Sequence, residues 1–120
     1  MKILIVDDTR TLRELLRDAL LEAGHEVIEA EDGAKGLERF AATRPALVIT
    51  DLNMPVMDGI ELTRAIRARP DGGSVPIFIL TTESAAERKA QGRSAGATGW
   101  MVKPFNSERL IATIACYEVQ

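Results

Sequence analysis

A chain of 120 residues with 46% apolar and 28% charged residues has the size and balance of one globular domain. Its net charge of −3 is too small to indicate nucleic acid or a membrane surface as the main partner. The first apolar run, at residues 3–6, is far too short for a signal peptide or a spanning helix, and the single cysteine, Cys116, excludes an internal disulfide. We therefore expect one domain over residues 1–120, located in the cytoplasm.

Short apolar runs alternate along the chain with segments whose apolar residues recur at helical spacing. The runs predict strands over residues 2–6, 26–30, 46–50, 76–80 and 97–102. The amphipathic segments predict helices from residue 9 to the stop at Gly24, over 34–43, 60–69 and 85–95, and a last helix capped by Asn106 or Ser107. Strands joined by helices of this length pair in parallel with right-handed crossovers. The pattern therefore predicts a three-layer α/β domain of five βα units.

The helix predicted over residues 85–95 is the weakest of the set. Its apolar residues are all alanines, and it contains Gly92. Because burying alanine gains little free energy, we expect this helix to be the least firmly held. Together with the fifth strand and the last helix it is the expected partner-binding face, and Lys89 and Arg93 are the expected contacts.

Polar residues stand at the ends of four predicted strands. Asp7 and Asp8 follow the first strand, Asp51 the third, Thr81 the fourth and Lys103 the fifth. Ligand sites of open α/β sheets lie at the carboxyl ends of the strands, so we expect these side chains to converge. Crowded carboxylates raise each other's pKa, and Mg²⁺, which prefers oxygen ligands, resolves that conflict. The set is sufficient for phosphoryl transfer onto Asp51, with Lys103 as a point charge for the phosphoryl oxygens.

Each residue taken alone also has a simpler interpretation. Asp8 could cap the first helix, Thr81 could be only a strand-end hydroxyl, and Lys103 could be solvated. His25 follows a helix stop and is expected at the surface. Cys116, on the last helix, is expected to be a small buried or half-buried side chain.

At these residues the sequence resembles the receiver domains of two-component response regulators, and among them the CheY-like, single-domain chemotaxis regulators. The resemblance covers the whole chain and rests on Asp7-Asp8, Asp51 with Met54-Pro55 and Asp58-Gly59, Thr81, Gly96-Ala97, and Lys103-Pro104-Phe105. It implies a flavodoxin-like (βα)5 sandwich with a parallel sheet of strand order 2-1-3-4-5.

The resemblance also implies a role for each site residue. Asp51 would be the phosphoacceptor. Asp8 and Asp51 would ligate Mg²⁺ directly, Asp7 through water, and Asn53 through its backbone carbonyl. Lys103 would contact the phosphoryl group, and the Lys103–Pro104 peptide would be cis. Thr81 would be the switch hydroxyl.

Two further pairs of residues concern the switch and the phosphate lifetime. The switch aromatic, usually Tyr or Phe, is Trp100, and the usually small residue after the switch threonine is Thr82. By resemblance, Trp100 would turn inward on phosphorylation. By the same resemblance, Asn53 and Glu83 would flank the path of the hydrolytic water, and we expect them to shorten the life of the phosphate.

The implied partners are a histidine kinase, expected to be a chemotaxis kinase, and a downstream protein such as the flagellar motor switch, with the chain acting as a monomer. The chain ends just after the last helix, so the sequence favours a regulator without its own output domain. We expect it to catalyse its own phosphorylation and dephosphorylation but no other reaction. A phosphate sink or an intermediate receiver of another phosphorelay is the alternative. A small-molecule aspartyl phosphatase is disfavoured, because Asn53 stands where its general acid would be. A flavin carrier is disfavoured because Asp7-Asp8 would repel its phosphate.

Overall fold

The computed structural model describes residues 1–82 and 86–118, and strands and helices alternate throughout them. The strands are β1 (Lys2–Val6), β2 (Glu26–Ala30), β3 (Leu47–Asp51), β4 (Ile77–Thr81) and β5 (Gly99–Val102). The helices are α1 (Arg10–Glu22), α2 (Gly33–Thr43), α3 (Gly59–Arg67), α4 (Ala86–Ala95) and α5 (Ser107–Ala115). None of the helices in this part of the chain has the length and apolar character needed to cross a membrane.

The strands form one parallel sheet of order β2-β1-β3-β4-β5, which confirms the predicted flavodoxin-like topology. The register aligns the carboxyl ends of the strands. Val6 pairs with Thr50, Asp51 with Leu80, and Thr81 with Val102. The residues at these ends therefore lie along one edge of the sheet, as the alternation of strands and helices predicts.

Apolar side chains cover both faces of the sheet, which explains the nearly continuous apolar runs of the central strands. One face packs on α1 and α5 through Leu16, Leu20, Leu110 and Ile114. The other face packs on α2, α3 and α4 through residues that include Phe40, Leu62, Ile66 and Ala95. Burying each large aliphatic side chain contributes about 1.5–3 kcal/mol, so the two layers hold the sheet edge rigidly.

The fourth helix has the weak apolar face that its composition predicts. Its buried residues are Gly92 and Ala95. A Cβ atom placed on Gly92 would lie 3.0 Å from Cζ3 of Trp100, so this glycine lets the indole pack directly against the helix. Residue 85, the predicted first residue of this helix, lies outside the described residues.

Several predicted details are wrong. β3 and β4 each begin and end one residue later than predicted, because Asp51 and Thr81 still take part in strand pairing, and β5 begins at Gly99 and not at residue 97. His25 is 6% exposed rather than at the surface, since Gly24 turns the chain at φ +91° and the terminal ammonium of Met1 donates to Nδ1 at 3.1 Å. Cys116 is exposed.

Candidate functional site

Three carboxylates lie together at the carboxyl end of the sheet. Asp7, Asp8 and Asp51 each place one carboxylate oxygen within 4.8 Å of the other two. Asp7 and Asp8 follow β1 directly, Asp51 is the last residue of β3, and these strands are neighbours. The cluster therefore follows from strand order, since residues 7 and 51 meet although they are far apart in sequence.

Asp51 is held in one orientation and is 8% exposed. Its Oδ1 accepts a hydrogen bond from the backbone N–H of Leu52 at 2.9 Å and one from Nζ of Lys103 at 3.1 Å. Burial raises the pKa of the Asp51 carboxyl, the negative charge of Asp7 raises it further, and Lys103 opposes both. The result is a fixed carboxylate that lacks full compensation for its charge.

Lys103 connects two of the three carboxylates. Its Nζ also lies 3.4 Å from Oδ2 of Asp7, whose Oδ1 accepts from the backbone N–H of Thr9 at 2.8 Å. The lysine is placed by its own backbone, which donates to the carbonyl of Thr81 at 2.7 Å, and the Lys103–Pro104 peptide is cis. One ammonium thus faces a cluster that carries up to three negative charges.

The simpler interpretation of Asp8 as a helix cap is wrong. Thr9 occupies the N-cap position of α1 without a side-chain cap bond, and Asp8 is exposed beside the other two carboxylates. Hard carboxylate oxygens at this spacing fit a divalent cation such as Mg²⁺, which keeps several waters and takes few protein ligands. The exposed Asp8 leaves the cluster open to solvent.

A tight turn supports Asp51 from behind. Asp58 caps α3 through a reciprocal capping box with Glu61, and Gly59 follows it. A Cβ atom at Gly59 would lie 2.3 Å from the carbonyl oxygen of Asp51, so only glycine fits there. In the same loop Val56 has φ +72° and is 82% exposed, a strained conformation for a β-branched residue.

The predicted switch residues lie on β4 and β5, the two strands that follow β3 in the sheet. Thr81 is fully buried at the end of β4, next to Asp51 on β3. Trp100, on β5, is half-buried and packs against the cluster of Leu52, Ile60, Ile79 and Ala95. Thr82 and Asn53 are exposed, and Glu83 lies outside the described residues.

Arg13 was not predicted to belong to the site. Its Nη1 donates to the backbone carbonyl of Asp7 at 2.7 Å, and its Nε donates to Oε1 of Glu29 at 3.1 Å. In the sequence Arg13 reads as an ordinary charged residue of an amphipathic helix. The available signal was its position, since an arginine in the first turn after an Asp-Asp pair can reach back to that loop.

The chain resembles solved receiver structures over nearly its whole length. Chemotaxis protein CheY4 of Vibrio cholerae is 42% identical, with 98% of each chain covered and a TM-score of 0.92. The receiver domain of sensor histidine kinase PA1611 from Pseudomonas aeruginosa PAO1, solved with a magnesium ion coordinated in its active-site cleft, is 28% identical with a TM-score of 0.89, and 97% and 95% of the two chains are covered.

Curated relatives give the same family and are longer proteins. Response regulator MprA of Mycobacterium avium is 39% identical over 112 residues, which are 93% of this chain and 48% of that protein. The chain thus spans about half the length of these relatives. Residues 3–115 match the family described as response regulator receiver domain. With the fold, the acidic cluster and these relatives in agreement, the chain belongs to the response regulator receiver domain family.

Proposed function

We propose that this domain is a phosphorylation-controlled switch whose phosphoacceptor is Asp51. The observation that carries the proposal is the position of its carboxylate, fixed at the end of β3 with Asp7 and Asp8 within 4.8 Å and the Lys103 ammonium at 3.1 Å. Phosphoryl transfer needs positioning and charge neutralisation more than covalent help, and these residues provide both.

In the proposed step, a carboxylate oxygen of Asp51 forms a bond to phosphorus. The bond from phosphorus to the donor breaks at the same time. The leaving group is the imidazole of a kinase phosphohistidine, or acetate when acetyl phosphate is the donor. Lys103 already lies against Asp51 and would move its charge onto the incoming phosphoryl oxygens.

Asp7, Asp8 and Asp51 would hold the Mg²⁺ ion, with the backbone carbonyl of Asn53 as a further oxygen ligand. Bound there, the ion supplies positive charge for the phosphoryl oxygens. The chain's own contribution is to keep three carboxylates together at a fixed spacing and to leave Asp8 accessible.

Intact-protein mass spectrometry after incubation with acetyl phosphate tests the assignment. We expect one added phosphoryl group with Mg²⁺ and none in EDTA. Asp51→Asn should not be labelled, whereas Asp58→Asn, an Asp-to-Asn change in the same loop that preserves a good N-cap, should be labelled like the wild type. Equal labelling of Asp51→Asn and Asp58→Asn would overturn the proposal.

The output would come from a population shift in the face formed by α4, β5 and α5. The Thr81 hydroxyl would move toward the phosphoryl group, and Trp100 would move deeper behind it. The weak burial of α4 makes it the element that moves at least cost. Substituting Lys89 or Arg93 should then weaken partner binding while labelling of Asp51 stays unchanged.

For the pathway, we propose chemotaxis, with a chemotaxis histidine kinase as donor, the flagellar motor switch as target, and a cytoplasmic monomer as the working form. The similarity to CheY4 over 98% of both chains supports this. The similarity to MprA supports the alternative of a receiver in another phosphorelay. Binding to a purified motor switch protein that requires Mg²⁺ and beryllofluoride, a phosphate mimic, would favour chemotaxis, and equal absence of binding with and without the mimic would favour the alternative.

A further inference from the structure

The Arg13 side chain joins the loop that carries Asp7 and Asp8 to two other elements. It belongs to α1, its Nη1 donates to the Asp7 carbonyl at 2.7 Å, and its Nε donates to Glu29 on β2 at 3.1 Å. With the side chain only 16% exposed, the guanidinium is largely removed from water. Partly buried bonds to a charged donor are stronger and more directional than those of a solvated arginine.

The carbonyl that Arg13 holds is part of the peptide unit between Asp7 and Asp8. Rotation of this unit about the Asp7 Cα–C bond would move the Asp8 Cα, and with it the Asp8 carboxylate, away from the other two. The N-terminal side of Asp7 is already fixed, because its backbone N–H donates to the Ala30 carbonyl at 3.1 Å. The bond from the Thr9 N–H to Oδ1 of Asp7 spans this same peptide, and Arg13 adds a direct restraint on its carbonyl oxygen.

We propose that Arg13 is a positioning residue for the cation site: its fork on the Asp7 carbonyl and Glu29 fixes the Asp7–Asp8 peptide and so the spacing of the three carboxylates. This inference rests on the proposed function, since it concerns the same cation site. It assigns Arg13 no contact with the phosphoryl group, since the two bonds that carry the argument run from Nη1 to the Asp7 carbonyl and from Nε to Glu29.

Arg17 provides a matched control one turn along the same helix. It carries the same charge, lies beside the same Glu29 at 3.6 Å, and pairs with Asp18, but none of its described bonds reaches Asp7. Removing a positive charge near an acidic cluster should by itself tighten cation binding slightly. For Arg13→Met, loss of positioning therefore predicts weaker Mg²⁺ binding, whereas loss of charge predicts slightly tighter binding. Arg17→Met reports the effect of charge on Mg²⁺ affinity alone.

The test is a Mg²⁺ titration followed by NMR at the backbone amides of Asp8 and Leu52, with urea unfolding of each variant as the measure of fold. We expect Arg13→Met to bind Mg²⁺ about tenfold more weakly than the wild type, within the range for residues that orient metal ligands, and Arg17→Met to bind as well or slightly better. At saturating Mg²⁺, labelling by acetyl phosphate should recover to within about threefold of the wild type, because the defect lies in binding the cation.

Equal Mg²⁺ affinity in Arg13→Met and Arg17→Met, with a loss of stability in the first, would reduce Arg13 to a structural residue and overturn the inference. Wild-type amides that do not respond to Mg²⁺ would overturn the proposed function as well. Should Arg13→Met fail to fold, Arg13→Lys keeps the charge but lacks the fork. Wild-type affinity in that variant would show that the two directed guanidinium bonds are not needed, and would equally overturn the inference.

Discussion

Replacing Asp51 by asparagine should stabilise the protein in the absence of Mg²⁺. The substitution keeps an oxygen that can accept the Leu52 N–H and removes one charge from the cluster. A loss of stability would be the usual result of changing a buried hydrogen-bonded residue. The opposite sign is therefore specific to a carboxylate whose charge is not fully compensated.

The magnitude follows from the distances. At an effective dielectric constant of about 20, two like charges within 4.8 Å of each other repel by at least about 3.5 kcal/mol, and opposite charges at 3.1 Å attract by about 5 kcal/mol. The repulsion of the Asp51 charge by Asp7, together with a weaker repulsion by Asp8 that water screens, nearly cancels the attraction by Lys103. The burial of Asp51 then adds the free-energy cost of removing its charge from water. We expect a net gain of about 1–2 kcal/mol, or about 4–8 °C in melting temperature.

The pH dependence has a defined sign. The pKa of Asp51 is raised in the folded protein, so ionisation destabilises the fold at neutral pH, and this cost disappears as the pH falls through the folded pKa toward the ordinary value. The advantage of Asp51→Asn should thus shrink on acidification. Urea unfolding in EDTA measures the difference in free energy of unfolding between Asp51→Asn and the wild type, with Asp58→Asn as control. Added Mg²⁺ should reduce this difference by stabilising the wild type. An Asp51→Asn variant less stable than the wild type in EDTA at neutral pH would refute the reasoning.

Four further outcomes are expected. Mg²⁺ with beryllofluoride should change the emission of Trp100, and Thr81→Ala should largely abolish the change although the mimic still binds; constant emission in the wild type would mean that the indole is fixed by packing. Asn53→Met should lengthen the life of the phosphoprotein, and an unchanged decay rate would remove Asn53 from water positioning. Burial, and then the terminal ammonium, lower the pKa of His25, so the free energy of unfolding should fall as the pH drops below the ordinary pKa of histidine. The fall should be smaller in His25→Gln, and parallel pH profiles of the two proteins in urea unfolding would contradict this. Val56→Asn should stabilise the protein by about 1 kcal/mol by relieving a β-branched residue at φ +72°, and unchanged or reduced stability would place the strain elsewhere.

The fold and the cluster of carboxylates could be predicted from the sequence, because both depend on patterns along the chain. Alternating apolar runs and amphipathic segments determine a parallel sheet, and a parallel sheet brings its carboxyl ends to one edge. Asp7, Asp8, Asp51 and Lys103 were therefore predictable as a group. The ends of β3 and β4 were off by one residue, because a polar residue such as Asp51 or Thr81 can still take part in strand pairing.

The remaining features depend on contacts between elements that no local pattern encodes. The sequence predicts His25 at the surface, because nothing in its neighbourhood indicates that the chain terminus contacts it. Arg13 looked like a solvated residue because its two acceptors are a backbone carbonyl and a residue 16 positions away. The contact of Trp100 with Gly92 likewise needs the distance between α4 and β5, which only the folded chain provides.

The central claim, that Asp51 itself receives the phosphoryl group, is tested most directly by reductive trapping. Borohydride converts an aspartyl phosphate into homoserine, and peptide mapping then identifies the modified position. After treatment with acetyl phosphate and Mg²⁺, we predict homoserine at residue 51 and unmodified aspartate at residues 7, 8 and 58. Homoserine at any of those three positions, with residue 51 intact, would contradict the account.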